Sequence, residues 1–316
     1  MYELIELVIR PETAFGTPLK GDTIFGQFFW QIVYDNKLIK KDLNELIDTY
    51  QEKPFIIFSS GVYKKENGWL LPRPALPLHF FENIKEEDCF KALSQRKEKK
   101  RKKFIKVKED FLIDVKEENL VEKGVIKIFR RVRNSINRET FTTGEDFAPY
   151  EVEEIWYEEG TRVAIFCLYN KEAISEDSIK IGFERIGKVG FGKDASLGLG
   201  KFKVEDIKIH PLPEIKDYVY TLSPCLPKEN EIELKNSFFN PFIRFGRHGG
   251  EFAVSRNPFK TPIIMADEGA VFKLKEKPEN PFIGQGIKGI SKVCKKAMVQ
   301  AFSIIFPIRG LSYEGV

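Results

Sequence analysis

The chain has 316 residues, 42% of them hydrophobic, which predicts two domains of ordinary size with packed cores. No stretch of about 18 apolar residues occurs, which excludes a membrane-spanning helix. The opening residues do not resemble a signal peptide, so we expect a cytoplasmic location. The net charge is +4, but nine residues between Arg96 and Lys108 are basic and one is acidic, and without that run the net charge would be −4. Because the positive charge is local, a polyanion would bind to particular basic parts of the protein surface.

The chain opens with a predicted strand and helix. Residues Tyr2 to Ile9 alternate between apolar and polar, which predicts a strand. A loop containing Lys20 follows, and Asp22 is the predicted N-cap of a helix with a broad apolar face. A second helix is predicted over Lys41 to Glu52, and a short apolar strand over Phe55 to Ser60.

The next region is rich in proline and then in charge. Arg73 lies in the proline-broken segment Pro72 to Pro77. The stretch from Ile84 to Lys108 is charged and is predicted to be partly helical. Two interpretations of this stretch stay open, a solvated and mobile surface or a contact with RNA.

Residues Val125 to Thr143 concentrate arginine and asparagine. Up to Arg138 the segment carries five basic residues and no acid, with Val132 and Ile136 between them. The pattern predicts an exposed strand or hairpin arm with one polar face, and an ordinary amphipathic strand is the alternative. The planar guanidinium of arginine can donate paired hydrogen bonds to a phosphate and can stack on bases. The candidate RNA contacts of the arm are Arg130, Arg131, Arg133, Asn137 and Arg138.

The first half of the chain ends with a strand, a helix and a strand. After an acidic patch at Glu151 to Glu159, a buried strand is predicted from Val163 to Leu168. Ser175 is the predicted N-cap of a helix to Ile186, and an alternating strand follows from Phe202 to Ile209. Strand–helix–strand–strand–helix–strand is the ferredoxin-like plan that RRM-type RNA binders also use. The predicted fold class is therefore α+β.

A glycine loop, Gly190-Phe-Gly-Lys-Asp-Ala-Ser-Leu-Gly-Leu-Gly-Lys201, joins that helix to that strand. Exposed amide groups in such a loop, together with lysines, predict a site for phosphates. A P-loop or a Rossmann turn is excluded, because both need the strand before the loop and the helix after it. The alternative is a flexible connection without a ligand. The candidate phosphate contacts are Gly190, Gly192, Lys193, Ser196, Gly198, Gly200 and Lys201.

A domain boundary is predicted between residues 212 and 213. The first domain, residues 1–212, would be ferredoxin-like with the basic run and the arm inserted, and the second, residues 213–316, would also be ferredoxin-like. In the second domain we predict strands around Pro262 to Met265 and Ala270 to Leu274, a glycine turn at Pro281 to Ile287, and an apolar tail to Ile308 that closes the core. Further candidate RNA contacts are Lys20, Arg73, Arg244, Arg247 and His248.

The sequence favours binding over catalysis, and we expect no enzyme. Its three histidines, His79, His210 and His248, are far apart and form no metal or Ser/His pattern. The four cysteines form no CxxC pair, so neither a metal nor a cofactor is expected. A metal-independent ribonuclease needs a general acid and a general base, commonly histidine. His248 is the only candidate general acid, and a phosphate or ribose contact ranks above that role.

Four segments, in this order and spacing, resemble the RAMP (repeat-associated mysterious protein) superfamily of CRISPR systems, and within it the family of Csm complex subunit four. They are Pro18 to Gly26, Ser59 to Val62 with Leu71 to Pro74, Arg133 to Thr140, and Gly190 to Lys201. The resemblance implies tandem ferredoxin-like domains and a non-catalytic scaffold of antiviral type III-A complexes that binds the 5′ handle of crRNA. It also implies two protein partners, the large polymerase/HD-type subunit and the backbone RAMP subunit. The equivalent type III-B subunit is a rival assignment, and the run Lys97 to Lys103 matches no element of the family.

Two other hypotheses stay open. A metal-independent, crRNA-processing RAMP endoribonuclease would share the fold and the glycine loop, but it needs a histidine or an equivalent base near the first helix, where this chain has none. Alternatively, the glycine loop could be a docking surface for protein alone.

Overall fold

The computed structural model describes residues 1–81, 97–122, 125–143, 148–309 and 311. The helices are α1 (Gly21–Tyr34), α2 (Leu43–Thr49) and α3 (Glu176–Val189), and residues 97–101 are also helical. The strands are β1 (Tyr2–Pro11), β2 (Ile56–Phe58), β3 (Val62–Lys65), β4 (Gly68–Pro72), β5 (Phe104–Val107), β6 (Ile113–Asp114), β7 (Leu120–Val121), β8 (Ile126–Arg133), β9 (Tyr150–Tyr157), β10 (Val163–Asn170), β11 (Phe202–His210), β12 (Tyr218–Thr221), β13 (Ile232–Phe238), β14 (Pro241–Arg244), β15 (Ile263–Ala266), β16 (Val271–Leu274), β17 (Phe282–Lys288) and β18 (Met298–Arg309).

Most strands belong to two sheets. The first has the order β11-β1-β10-β3-β4-β5-β7, with β2 also paired to β10, and all its pairs are antiparallel. The second has the order β13-β16-β12-β18-β17, and β6 of the first half pairs with β18 in parallel. Two-stranded ribbons, β8-β9 and β14-β15, complete the structure. The mixed α+β class predicted from the sequence is confirmed.

The central strands of both sheets follow one order. In the first half, four positions are central: β1, then β2 with β3, then β10, then β11, in chain order. In the sheet, β11 lies beside β1, β1 beside β10, and β10 beside β2 and β3. In the second half, β18, β12, β16 and β13 repeat that arrangement. The halves differ in their helices, since α1 follows β1 and α3 follows β10, whereas the described part of residues 213–309 forms no α-helix.

The helices cover the first sheet and reach the second. α1 packs against α3, β2 and β18, and α3 packs against β11. Gly182 of α3 allows the close approach, because a Cβ there would stand 2.4 Å from the ring of Phe28. The core is continuous between the sheets, for example where Phe166 of β10 and Phe306 of β18 have ring centroids 5.2 Å apart. The boundary at 212–213 stays a prediction.

Several predicted elements are confirmed and three are corrected. Ser175 caps α3, accepting a hydrogen bond from the Ser178 amide at 3.2 Å, and the apolar tail is the buried strand β18. Asp22 is not an N-cap, because α1 begins at Gly21 and Asp22 lies in its first turn. The predicted glycine turn at Pro281 to Ile287 is strand β17, and the second helix is shorter than expected. The charged stretch from Ile84 is described only from residue 97, where residues 97–101 are helical and β5 lies within the first sheet.

Candidate nucleic-acid interface

The glycine loop, residues 190–201, connects α3 to β11 through a series of left-handed residues. Its four glycines have φ values of +114°, +77°, +91° and +73°, and Asp194 has φ +61°. Such angles are easy for glycine and are tolerated by aspartate. The chain therefore reverses direction between Gly190 and Gly200 in a compact turn, which includes a short 3-10 helix at Ala195–Leu197.

Three of the four glycines are required by contacts within the protein. A Cβ at Gly190 would lie 2.3 Å from the carbonyl oxygen of Leu199, and one at Gly200 would lie 2.3 Å from that of Phe191. At Gly192 it would lie 2.6 Å from the Thr17 side chain. Only Gly198 faces open space, with nothing within 4 Å. The glycine spacing thus lets two stretches of backbone pack closely.

Most amide groups of the loop are occupied by protein acceptors. The Gly200 amide donates to the carbonyl of Ala14 at 2.7 Å, and that of Lys193 donates to Thr17 Oγ1 at 2.9 Å. The amides with protein acceptors belong to Gly190, Phe191, Lys193, Leu197, Gly198, Leu199, Gly200 and Lys201. The amides without an acceptor in the described part of the chain belong to Gly192, Asp194, Ala195 and Ser196. Any anion held by this backbone would thus meet the first turn, at residues 192–196.

The side chains of the loop supply additional polar groups. Lys193 and Ser196 are exposed and Lys201 is half-buried. None of these three has a side-chain partner within the residues described. Phe191 is buried and fixes the loop to the core, with its ring centroid 6.2 Å from that of Phe15.

The loop after β1 connects the glycine loop to the arm. Gly16 contacts the backbone of Lys193, where a Cβ would lie 2.6 Å from the carbonyl oxygen. Phe15 exchanges two backbone hydrogen bonds of 2.9 Å with Ile155 of β9, and its ring packs edge-on against Tyr157. The three segments therefore meet on one side of the molecule.

The arm is the antiparallel ribbon β8-β9. Its register places Arg130 opposite Glu153 and Arg133 opposite Tyr150. The strand predicted from the arginine-rich segment is confirmed, whereas β9 was missed, because residues Glu151 to Glu159 had been interpreted only as an acidic patch. The aromatic and β-branched residues among those acids were the signal that could have indicated a strand.

The arginines of β8 pair with carboxylates. Arg130 Nε lies 3.2 Å from Glu153, and Arg131 Nε and Arg133 Nη2 each lie 3.2 Å from Oε1 of the buried Glu154. Arg133 Nη1 also donates to Asp194 of the glycine loop at 2.7 Å. Burial opposes the charge on Arg133, but these two carboxylates outweigh it and raise its pKa. The arm and the glycine loop are thus joined by an ion pair.

The tip of the arm carries an exposed arginine and an exposed aromatic ring. Asn137 Oδ1 accepts the Glu139 amide at 2.9 Å, and the Asn137 carbonyl accepts the Phe141 amide at 2.8 Å, so Asn137 stabilises the turn. Arg138 is exposed and has no partner in the described ranges. Phe141 is 83% exposed beside it.

Two other candidates, Lys20 and Arg244, form ion pairs between the halves. Lys20 Nζ lies 2.6 Å from both Asp267 and Glu268, and Arg244 binds Asp22 through both carboxylate oxygens. Burial raises the pKa of Glu268 to about 7, even though Lys20 acts to lower it. These two cations are already engaged, and a phosphate would have to compete with carboxylates.

The remaining candidates lie outside the junction of loop and arm. Arg73 is half-buried and donates to backbone carbonyls of residues 99 and 102. Arg247 donates to the Ala253 carbonyl at 3.1 Å. His248 is buried, with Nε2 2.8 Å from Ser291 Oγ, and burial together with Lys260 lowers its pKa.

The described ranges contain no group of three or more His, Cys, Asp or Glu that could hold a metal ion. No helix in them is long and apolar enough to cross a membrane.

Comparison with known proteins gives matches to solved structures alone. Neither the protein-family models nor the curated proteins contain a match. A chain of the Csm1-Csm4 cassette in complex with pppApA is 16% identical, with a TM-score of 0.60 over 99% of this chain and 100% of that one. A chain of the Csm3-Csm4 subcomplex of the type III-A CRISPR-Cas interference complex is 17% identical, with a TM-score of 0.56 over 96% and 99%. The chain therefore shares the fold of these structures along nearly its whole length, and the resemblance to Csm4 that the sequence predicts is confirmed at the level of the fold.

Proposed function

We propose that this chain is a Csm4-like subunit of a type III CRISPR-Cas effector complex, and that it anchors the 5′ handle of crRNA. One observation carries the assignment, which is the full-length likeness to chains of two assemblies, Csm1-Csm4 and Csm3-Csm4, whose common subunit is Csm4. The type III-A assembly is the one named for the second of these relatives.

We propose that both halves derive from the ferredoxin-like plan. In the first half, the order β11-β1-β10-β2 with helices α1 and α3 is compatible with the complete plan. In the second half, the strand order is the same, but the two connections where helices would be expected, residues 222–231 and 275–297, form no α-helix, and the second of them contains β17. Helix α1 packs on β18 as well as on β2, which supports the proposal that this one helix covers part of both sheets.

In the proposed RNA contact, the glycine loop and the arm act together. The Arg133–Asp194 ion pair of 2.7 Å sets the arm against the loop. Handle phosphates would be held by Lys193, Ser196, Lys201 and the available amides near residue 194. The exposed Arg138 would contact the RNA strand further along its length. Because the handle is single-stranded, its base edges are open to the arm.

The partners follow from the same likeness. We propose that the chain docks a Csm1-like large subunit and a Csm3-like backbone subunit, the components named for its structural relatives. Handle binding would then fix the position of the guide in the assembly.

The proposal assigns no catalytic step to this chain. His210 is buried with Nε2 2.9 Å from Glu6, and the buried His248 bonds to Ser291, so neither ring is open to a substrate. The test is incubation of the purified chain with labelled repeat RNA in the presence of a chelator. Accumulation of a defined cleavage product would favour the endoribonuclease instead.

Handle binding can be tested by measuring RNA affinity against salt concentration. The variant carrying Arg130→Ala and Arg138→Ala loses two exposed arm cations. If both contact phosphates, the slope of log K against log salt should fall by about 1.4, since each phosphate contact on a single strand contributes about 0.7. The matched control carries Lys53→Ala and Lys65→Ala, which remove two exposed cations elsewhere. Equal slopes for both double variants would contradict the arm contact.

A further inference from the structure

A second candidate site lies between the two halves of the chain. It is an open cleft of about 430 Å³, lined by Arg73 and residues 75–77 of the first half and by residues 237–240 of the second. None of its lining residues belongs to the glycine loop or to the arm. The site therefore requires an explanation separate from the handle contact.

One wall of the cleft is an exposed aromatic ring held from behind. Phe239 is 42% exposed, and its ring packs at 5.8 Å, tilted by 32°, on the buried Phe272. Phe238 is fixed edge-on against Phe80 at 5.3 Å. A rigid ring with an open face is the type of surface on which single-stranded nucleic acids stack their bases.

Arg73, another lining residue of the cleft, is a cation without a counterion among the described residues. Arg73 Nη1 reaches only the backbone carbonyls of Lys99 and Lys102, at 3.3 and 3.5 Å, which are long for hydrogen bonds. Within the described ranges no carboxylate lies within ion-pair distance of it, and burial lowers its pKa. A half-buried guanidinium of this kind gains most from an anion such as phosphate, which accepts its forked donors.

The rim beside Arg73 has surplus positive charge. The Arg73 amide donates to the Lys103 carbonyl at 2.8 Å, which attaches the basic run to the cleft. In that run Lys99 and Lys102 share one carboxylate, that of Glu117, at 3.0 and 3.8 Å. The exposed cations with no partner in the described part of the chain are Lys97, Lys100, Arg101 and Lys103.

Two acids and an amide are also near the cleft. Asp267, whose amide donates to the Asn240 carbonyl, and Glu268 share one cation, Lys20, at 2.6 Å from each, and burial raises the pKa of Glu268, so only part of their charge opposes an anion. The exposed side chain of Asn240 offers both donors and an acceptor, as the edge of a base requires.

We propose that this cleft binds one nucleotide of a single-stranded RNA, with its base stacked on Phe239 and its phosphate against Arg73 and the basic rim. An acidic peptide would use the cations alone and would leave the ring and the amide without a role. The inference takes its ligand class from the proposed function, but it concerns different residues and can fail separately.

The test is photocrosslinking and affinity measurement with the full chain and a short 4-thiouridine-labelled RNA of sequence unrelated to any handle. We expect crosslinks to the peptide that contains Phe239, and an affinity lowered roughly tenfold by Phe239→Ala, since stacking of one base contributes about 1–3 kcal/mol. Phe239→Tyr should restore binding. Phe245→Ala, which removes a ring that is 70% exposed and lies outside the cleft, should leave binding unchanged.

The outcomes separate this inference from the handle contact. The cleft is not a nucleotide site if Phe239→Ala binds RNA as well as wild type, or if Phe239→Tyr binds as poorly as Phe239→Ala. The same conclusion follows if poly-glutamate, added before irradiation, prevents the crosslink while Phe239→Ala leaves it unchanged. If the arm double variant keeps its full affinity for the handle while Phe239→Ala loses affinity for unrelated RNA, the handle contact fails and the cleft stands. A thermal unfolding curve for each variant establishes that it is folded.

Discussion

The glycine loop and the arm differ in where their polar groups point. In the glycine loop eight amides bond to protein acceptors, and three of the four glycines face neighbouring backbone or side chains. In the arm, Arg130 and Arg131 stay more than half exposed even though they pair with glutamates, and Arg138 at the tip has no partner among the residues that the structure describes. The glycine loop therefore has a mainly structural role, and the arm presents most of the exposed cationic charge of these two regions.

This difference shows what a glycine-rich motif can mean. Glycine allows any close approach of backbone, whether the approaching group is a phosphate or another peptide. At Gly190 and Gly200 the approaching group is the carbonyl of a residue in the same loop. Among the described contacts, only the amides of Gly192, Asp194, Ala195 and Ser196 remain for an anion, which is a smaller site than the full loop suggests.

The largest expected effect is a loss of stability that separates glycines packed against neighbouring atoms from a glycine that faces open space. Gly200→Ala should lower the free energy of unfolding by about 3 kcal/mol, because the new Cβ meets the Phe191 backbone at 2.3 Å and the residue is left-handed. Gly198→Ala has a similar φ, +91°, but open space around it, so it should lose only about 1 kcal/mol. Urea unfolding of both variants measures the difference. Equal losses would mean that the loop is not held by this close packing.

Local patterns were enough to predict the elements that depend on local physics. The Ser175 cap and the spacing of apolar residues predicted α3, and the apolar tail predicted β18. Long-range packing is what the sequence could not indicate. Gly286 looked like a turn residue, but Tyr50 packs where its Cβ would be, at 2.7 Å, so the segment remains a strand.

The candidate site was predicted in its parts but not in its pairing. The sequence identified the loop and the arm separately, and the structure joins them through Arg133 and Asp194, which are 61 positions apart. Asp22 met the local criteria for an N-cap, but the residue that pairs with it, Arg244, lies in the other half of the chain. Partners so distant in sequence follow from tertiary structure, which periodicity and capping rules do not describe.

A second prediction separates the two kinds of arginine in the arm. Arg133→Ala removes one of three donors to the buried Glu154 carboxylate and the only donor to the Asp194 carboxylate among the described residues. Arg130→Ala removes an exposed pair with Glu153. The first substitution should therefore destabilise the protein roughly three times more than the second, because a buried acceptor is left short of a partner. Chemical denaturation of the two variants, with their m-values compared, measures this. If Arg130→Ala is equally damaging, the ribbon is held by its surface pairs instead.

The smallest expected effect concerns the ion pair that joins loop and arm. Asp194→Asn retains a residue that tolerates φ +61° but removes the charge that binds Arg133. Arg133 Nη1 can then contact a phosphate while Nη2 stays on Glu154, so affinity for single-stranded RNA should rise about threefold and the salt slope should steepen by about 0.7. Asp217→Asn makes the same change of net charge at an exposed position in the second half of the chain and serves as the control. A similar gain in both variants would mean that net charge alone is responsible. A loss of affinity in Asp194→Asn would mean that the ion pair orders the arm for binding, so that the loop acts on RNA through the arm.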